Sequence, residues 1–182
     1  MLLVLCSLAI PFPSKAAQIP DERLGPRLAD KEGLLTEEEQ EELLAWLDEI
    51  SERQQCDVVI VTVASIEGKT ATEYADDYFD YQGYGYGEKS DGILLLVGMK
   101  ERVWAISTHG SFGISAFTDA GLDYIKEDIR FQLKIDNYSK AFRAFALLCD
   151  RFLTAAHEGK PYDVGNLPIK HASPSILIFL FP

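Results

Sequence analysis

Asp91, His109 and Asp119 bracket one apolar hairpin pattern, and they are the residues whose types and positions best suit chemistry. Asp91 precedes the run Gly92 to Val97, His109 follows the run Val103 to Thr108, and Thr118-Asp119 opens a helical pattern just beyond. In a hairpin the start of the first strand and the end of the second lie at the same edge of the sheet, so loops 83–91 and 109–119 meet there. Parallel pairing of the β-branched run 57–64 with 93–97 brings Asp57 to the same edge. Carboxylates gathered in one place require a cation or a proton. Oxygen ligands suit Ca²⁺ or Mg²⁺, so the expected metal-ligating set is Asp91, Asp119 and Asp57, with Glu88 as an outer member. The free amides where Thr118 starts its helix would favour an anion beside that cation.

Each residue also has an ordinary structural reading. Asp91 before Gly92 is a common turn residue, and an aspartate in a first helical turn complements the helix dipole. His109 can be a general acid or base beside acids, or a hydrogen-bonded loop residue. Ser90, Ser107, Ser111 and Ser115 fall near the same edge, but none sits in a Gly-x-Ser-x-Gly elbow, so the spacing assembles no Ser-His-Asp triad. Gly83 to Gly92 is rich in glycine, yet it follows a helix and opens a strand, the reverse of a dinucleotide-binding loop. Cys56 and Cys149 lack metal-binding spacing and lie in apolar patterns, which predicts two buried free thiols.

The elements that position these residues follow from capping and periodicity. Thr36 with Glu39, and Thr70 with Glu73, are capping boxes that start helices running to about Gln54 and about Tyr81. Leu43, Leu47 and Ile50 form the inner face of the first; Tyr74, Tyr78 and Tyr81 form a stripe on the second, with Ala75 and Phe79 alongside. Between them Asp57 to Ala64 reads as a buried strand, and the hairpin turns at Gly98 to Glu101. Leu122, Ile125, Ile129 and Leu133 mark a third helix, and Ala141, Phe145, Leu148 and Phe152 a fourth, from about Ser139 to His157. Helices alternating with a parallel crossover and a hairpin predict an α/β protein, a three-layer α/β/α sandwich on a small mixed sheet.

The chain has 182 residues, 47% hydrophobic and 25% charged, which suits one ordinary globular domain. Its formal net charge of -12 argues against a nucleic-acid partner, since phosphates are held by Lys and Arg. Residues 1–17 have the apolar run and small-residue end of a signal peptide, with Gln18 the expected mature start. Residues 18–27 read as a lead-in, 28–158 as the folded domain and 159–174 as a linker. The apolar stub 175–182 is far too short to cross a bilayer alone; it reads as a cut-off membrane anchor, a frameshifted end or a short strand.

In order along the chain, Asp30-Lys31-Glu32-Gly33-Leu34-Leu35-Thr36, the run VVIVTV, Tyr84 to Gly87, Ser90-Asp91-Gly92-Ile93-Leu94-Leu95-Leu96 and Phe117-Thr118-Asp119-Ala120 resemble the TPM domain family. The resemblance spans roughly Leu28 to Glu158. It implies an α/β/α sandwich outside a membrane, behind a signal peptide and ahead of a C-terminal anchor, with membrane or envelope proteins as partners. It further implies divalent cation binding in some members and acid phosphatase activity in plant members. By resemblance, Asp91 and Asp119 are the positions to test. Many members carry a glycine-tyrosine-glycine-leucine-glutamate run where this chain reads Gly110-Ser111-Phe112-Gly113-Ile114, so the usual glutamate is missing. The expected function is an exported, membrane-associated accessory or interaction module of the cell envelope with a site for a divalent cation; the alternative is a metal-assisted acid phosphatase-like hydrolase.

Overall fold

The computed structural model describes Pro20 and residues 23–169; the expected signal peptide, the end of the linker and the apolar stub lie outside them. The element order is β1 (Leu28–Asp30), α1 (Glu37–Gln54), β2 (Asp57–Val63), α2 (Ala71–Tyr81), β3 (Gly92–Gly98), β4 (Val103–His109), α3 (Ser111–Ala116), α4 (Asp119–Lys134) and α5 (Tyr138–His157). One sheet carries the strands in the order β1-β2-β3-β4. β1 and β3 run parallel to β2, while β4 returns antiparallel to β3. The architecture is the expected α/β sandwich on a mixed sheet.

The two central strands explain the layering. Every residue of β2 and β3 is buried, as two covered faces require. Alternation sends Val58, Ile60, Ile93, Leu95 and Val97 into the larger core, beneath α1, α4 and α5. Val59, Val61, Leu94 and Leu96 enter the smaller core, beneath α2. Both capping boxes form, with Thr36 and Thr70 each accepting from the backbone N–H three residues on. The inner face of α2 is Ala75 and Phe79; Tyr74 and Tyr78 are only half-buried and Tyr81 is exposed.

Two short elements add to the expected set. β1 falls at the boundary of the lead-in, and α3 lies where only a loop was expected. Cys56 and Cys149 are both free and buried, and burial pushes both thiols upward in pKa.

Candidate functional site

The β2–β3 register pairs Asp57 with Gly92, and the Asp57 N–H donates to the Asp91 carbonyl at 3.0 Å. The sheet thus brings Asp57 and Asp91 together, as expected from the parallel crossover. Their carboxylates, however, face different partners. Arg27, itself buried, donates from Nε to Asp57 Oδ1 at 2.8 Å and also places Nη2 2.8 Å from that oxygen. The other Asp57 oxygen accepts the Gly85 N–H at 2.9 Å. The remaining Arg27 donors reach Asp48 at 2.9 Å and Glu52 at 2.7 Å on α1. One guanidinium therefore fastens the lead-in and α1 to the start of β2, and beside it the carboxylate of Glu52 is held below its ordinary pKa.

Asp91 performs a second tethering task. Its Oδ1 accepts from the N–H groups of Phe112 at 2.7 Å and Gly113 at 3.2 Å, in the first turn of α3. Gly110, the residue before α3, supplies no capping side chain, so the cap comes from a residue far away in sequence. Tyr86 and Asp91 exchange backbone bonds of 2.9 and 3.1 Å, which closes the glycine-rich loop into a fixed turn. Asp119 is exposed in the first turn of α4, where Thr118 accepts the Gly121 N–H. Glu88 is also exposed.

Among the described residues no group of three or more His, Cys, Asp or Glu side chains is placed to hold a metal ion. The two carboxylates have other partners: Asp57 is engaged by Arg27 and Gly85, and Asp91 is turned toward the amides of α3. A Ca²⁺ or Mg²⁺ shell requires several convergent oxygens, so these carboxylates would have to exchange their present partners for the ion.

His109 belongs to a different constellation, one that sequence spacing did not assemble. Ser107 and His109 are two apart on β4 and so share a strand face. That face meets Asp76 and Asp80, four apart on α2. The Ser107 hydroxyl donates to Asp76 and lies 2.7 Å from His109 Nε2; His109 Nδ1 is 3.9 Å from Asp80. The imidazole also stacks on Phe79 with centroids 3.8 Å apart. The Ser107 oxygen thus bridges Asp76 and the His109 ring. The bridge ties α2 to β4. The available signal was the pairing of two i,i+2 strand residues with two i,i+4 helical acids, and only the packing of α2 on β4 relates the two.

Burial pushes His109 below its ordinary pKa, with Asp80 and Asp76 opposing that shift less strongly. The unfolded chain then takes up this proton at a higher pH than the folded chain. The stability contributed by the neutral ring is complete above about pH 6.5 and is lost as pH falls from there toward the depressed folded value. Urea midpoints taken between neutral and mildly acidic pH are expected to fall more steeply for the wild type than for His109→Gln. Parallel pH profiles for the two proteins would refute the assignment.

A sequence model of the TPM domain family matches residues 28–151, more than half of the chain. No curated protein matches the chain significantly. The N-terminal domain of a protein from P. gingivalis superposes with a TM-score of 0.62 at 22% identity, over 73% of this chain and 85% of that one. The N-terminal domain of the cg2496 protein from Corynebacterium glutamicum gives 0.56 at 14% identity, over 94% and 99%. The BA42 protein from the psychrophilic bacterium Bizionia argentinensis gives 0.57 at 18% identity, over 73% and 88%. At these identities the three structures speak to the fold alone.

Proposed function

We propose, from the premise that this chain belongs to the TPM domain family, that it is an exported, membrane-associated accessory module of the cell envelope, acting through protein partners. The observation that carries this reading is the use made of Asp57 and Asp91. Both carboxylates are spent on Arg27, Gly85 and the α3 amides, so they hold loops in place where a hydrolase would keep reactive groups open. The Ser107–His109 pair is tied to Asp76 on α2, a bridge between elements that suits the same reading. Among the described residues no helix is long and apolar enough to cross a membrane. Attachment in this reading falls to the segments outside them.

The test combines location with turnover. Cell fractionation and protease accessibility of the full chain are expected to place it at the outer face of a membrane. Incubation with p-nitrophenyl phosphate and Mg²⁺ or Ca²⁺ is expected to give no turnover. Turnover that disappears in Asp119→Asn, an exposed position whose substitution leaves the fold intact, would replace the module by the metal-assisted phosphatase. Calorimetric Ca²⁺ binding weakened by the same substitution would restore the cation site.

A further inference from the structure

At the opposite end of the sheet from Asp91, a hollow of about 300 Å³ opens between the β3–β4 turn and the last turn of α4. The β3–β4 register sets the separation: Gly92 pairs with His109 at one end and Gly98 with Val103 at the other, about 20 Å away along the strands. The floor is apolar, made by Met99, Trp104 and Leu133, and the rim carries Arg102, Arg130 and Lys134. No Asp or Glu lines it. In a chain of net charge -12 this clustering of cations runs against the molecular average. Arg102 is partly satisfied by Asp136 at 2.8 Å. Arg130 and Lys134 are both exposed.

A second observation adjoins the first. Phe131 and Ile135 are large apolar residues left 62% and 52% exposed. They are four apart, as are Arg130 and Lys134, so at 100° per residue an apolar stripe lies directly beside the basic one at the end of α4. A soluble anion would answer the basic rim and leave Phe131 and Ile135 in water. A neutral apolar surface would do the reverse. An anionic bilayer surface answers both, with a headgroup against the cations and the apolar pair at the acyl boundary.

We infer that the hollow and the adjoining stripe of α4 form a contact site for an anionic phospholipid, the phosphodiester meeting Arg130, Lys134 and Arg102 while Phe131 and Ile135 enter the interface. The site rests on the membrane-surface part of the reading above, names its lipid chemistry and does not involve Asp57 or Asp91.

The experiment is flotation of the full chain with phosphatidylcholine vesicles, with and without phosphatidylglycerol, the neutral vesicles setting the baseline for any other apolar segment. Binding above that baseline is expected only with phosphatidylglycerol and is expected to vanish at high salt. The double variant Arg130→Gln, Lys134→Gln is expected to reduce it by about twenty-five-fold, each charge near an anionic surface contributing a factor of about five. Phe131→Ser should weaken it further, and circular dichroism with urea midpoints verifies that these surface variants fold. Short-chain dihexanoyl phosphatidylglycerol, below its micelle concentration, provides the soluble arm. Saturable binding of it that Phe131→Ser leaves unchanged, without vesicle binding, would overturn the membrane contact in favour of a free anionic ligand. Equal binding to both vesicle types, or a double variant indistinguishable from wild type, would also overturn it and assign the patch to a protein partner. Those failures leave cell fractionation unaltered. Vesicle selectivity in a chain that fractionates away from membranes would uphold the contact and fail the broader reading.

Discussion

Arg27→Leu is expected to destabilise the domain by about 4 kcal/mol, measured as the loss of unfolding free energy in urea at neutral pH. The substitution keeps an apolar stem but removes the group that accompanies Asp57 into the interior. Asp57 is 3% exposed, and without Arg27 its remaining bond within the fold is to the Gly85 N–H. Arg23, 4.0 Å from Asp57 and a third exposed, is too distant and too wet to replace it. A buried carboxylate left without its partner costs far more than the intact pair contributes. The double variant Arg27→Leu, Asp57→Asn removes that uncompensated charge, so it is expected to be more stable than Arg27→Leu alone. A loss below about 1 kcal/mol in the single variant would mean that water reaches Asp57, and the tether would lose its energetic meaning.

Gly110→Ala is expected to cost about as much, roughly 4 kcal/mol, through two additive causes. The residue sits at φ 72° and ψ 166°, a region that side chains rarely adopt. An added Cβ would also lie 2.6 Å from Asp91 Cα and 2.7 Å from the Lys89 carbonyl, and would collide with Asp91 Oδ1. Backbone strain accounts for about 1–3 kcal/mol. The collision displaces the carboxylate that satisfies Phe112 and Gly113, and two charge-assisted bonds are weakened with it. Gly33→Ala separates the causes, because Gly33 has φ 63° with nothing near its absent Cβ. It is expected to show the strain alone, about 1–2 kcal/mol. Equal losses at Gly33 and Gly110 would refute the capping role of Asp91.

At Asp91 the location was legible in the sequence and the partners of the carboxylate were not. The loop before β3 and the turn after β4 do meet, as hairpin geometry demands, and the Asp57–Gly92 register adds the third strand. What local pattern could not supply was the direction of each carboxylate. Asp57 turns to an arginine 30 positions earlier, and Asp91 to amides more than 20 positions later. Neither partner has a periodic or motif signal that marks it for that role. The same holds for Asp76 and Asp80, ordinary polar positions on α2 until the crossover lays that helix on β4 beside Ser107 and His109.

The amino-acid sequence by itself determined the four longer helices, the three longer strands, the two capping boxes, the buried thiols and the family. Those features arise from interactions over a few residues: a hydroxyl reaching an amide three positions on, or apolar side chains recurring with the helical or strand period. Tertiary structure alone decided β1, whose three residues are too few to show a period and become a strand by pairing with β2. It also decided α3, six residues with a central glycine, too short to nucleate in isolation and started by a distant aspartate. The Arg27 tether, the Ser107–His109 bridge and the basic hollow beside Phe131 belong to the same class. Each depends on residues far apart in the chain being brought within a few ångströms, and that proximity is a property of the packed sheet and helices.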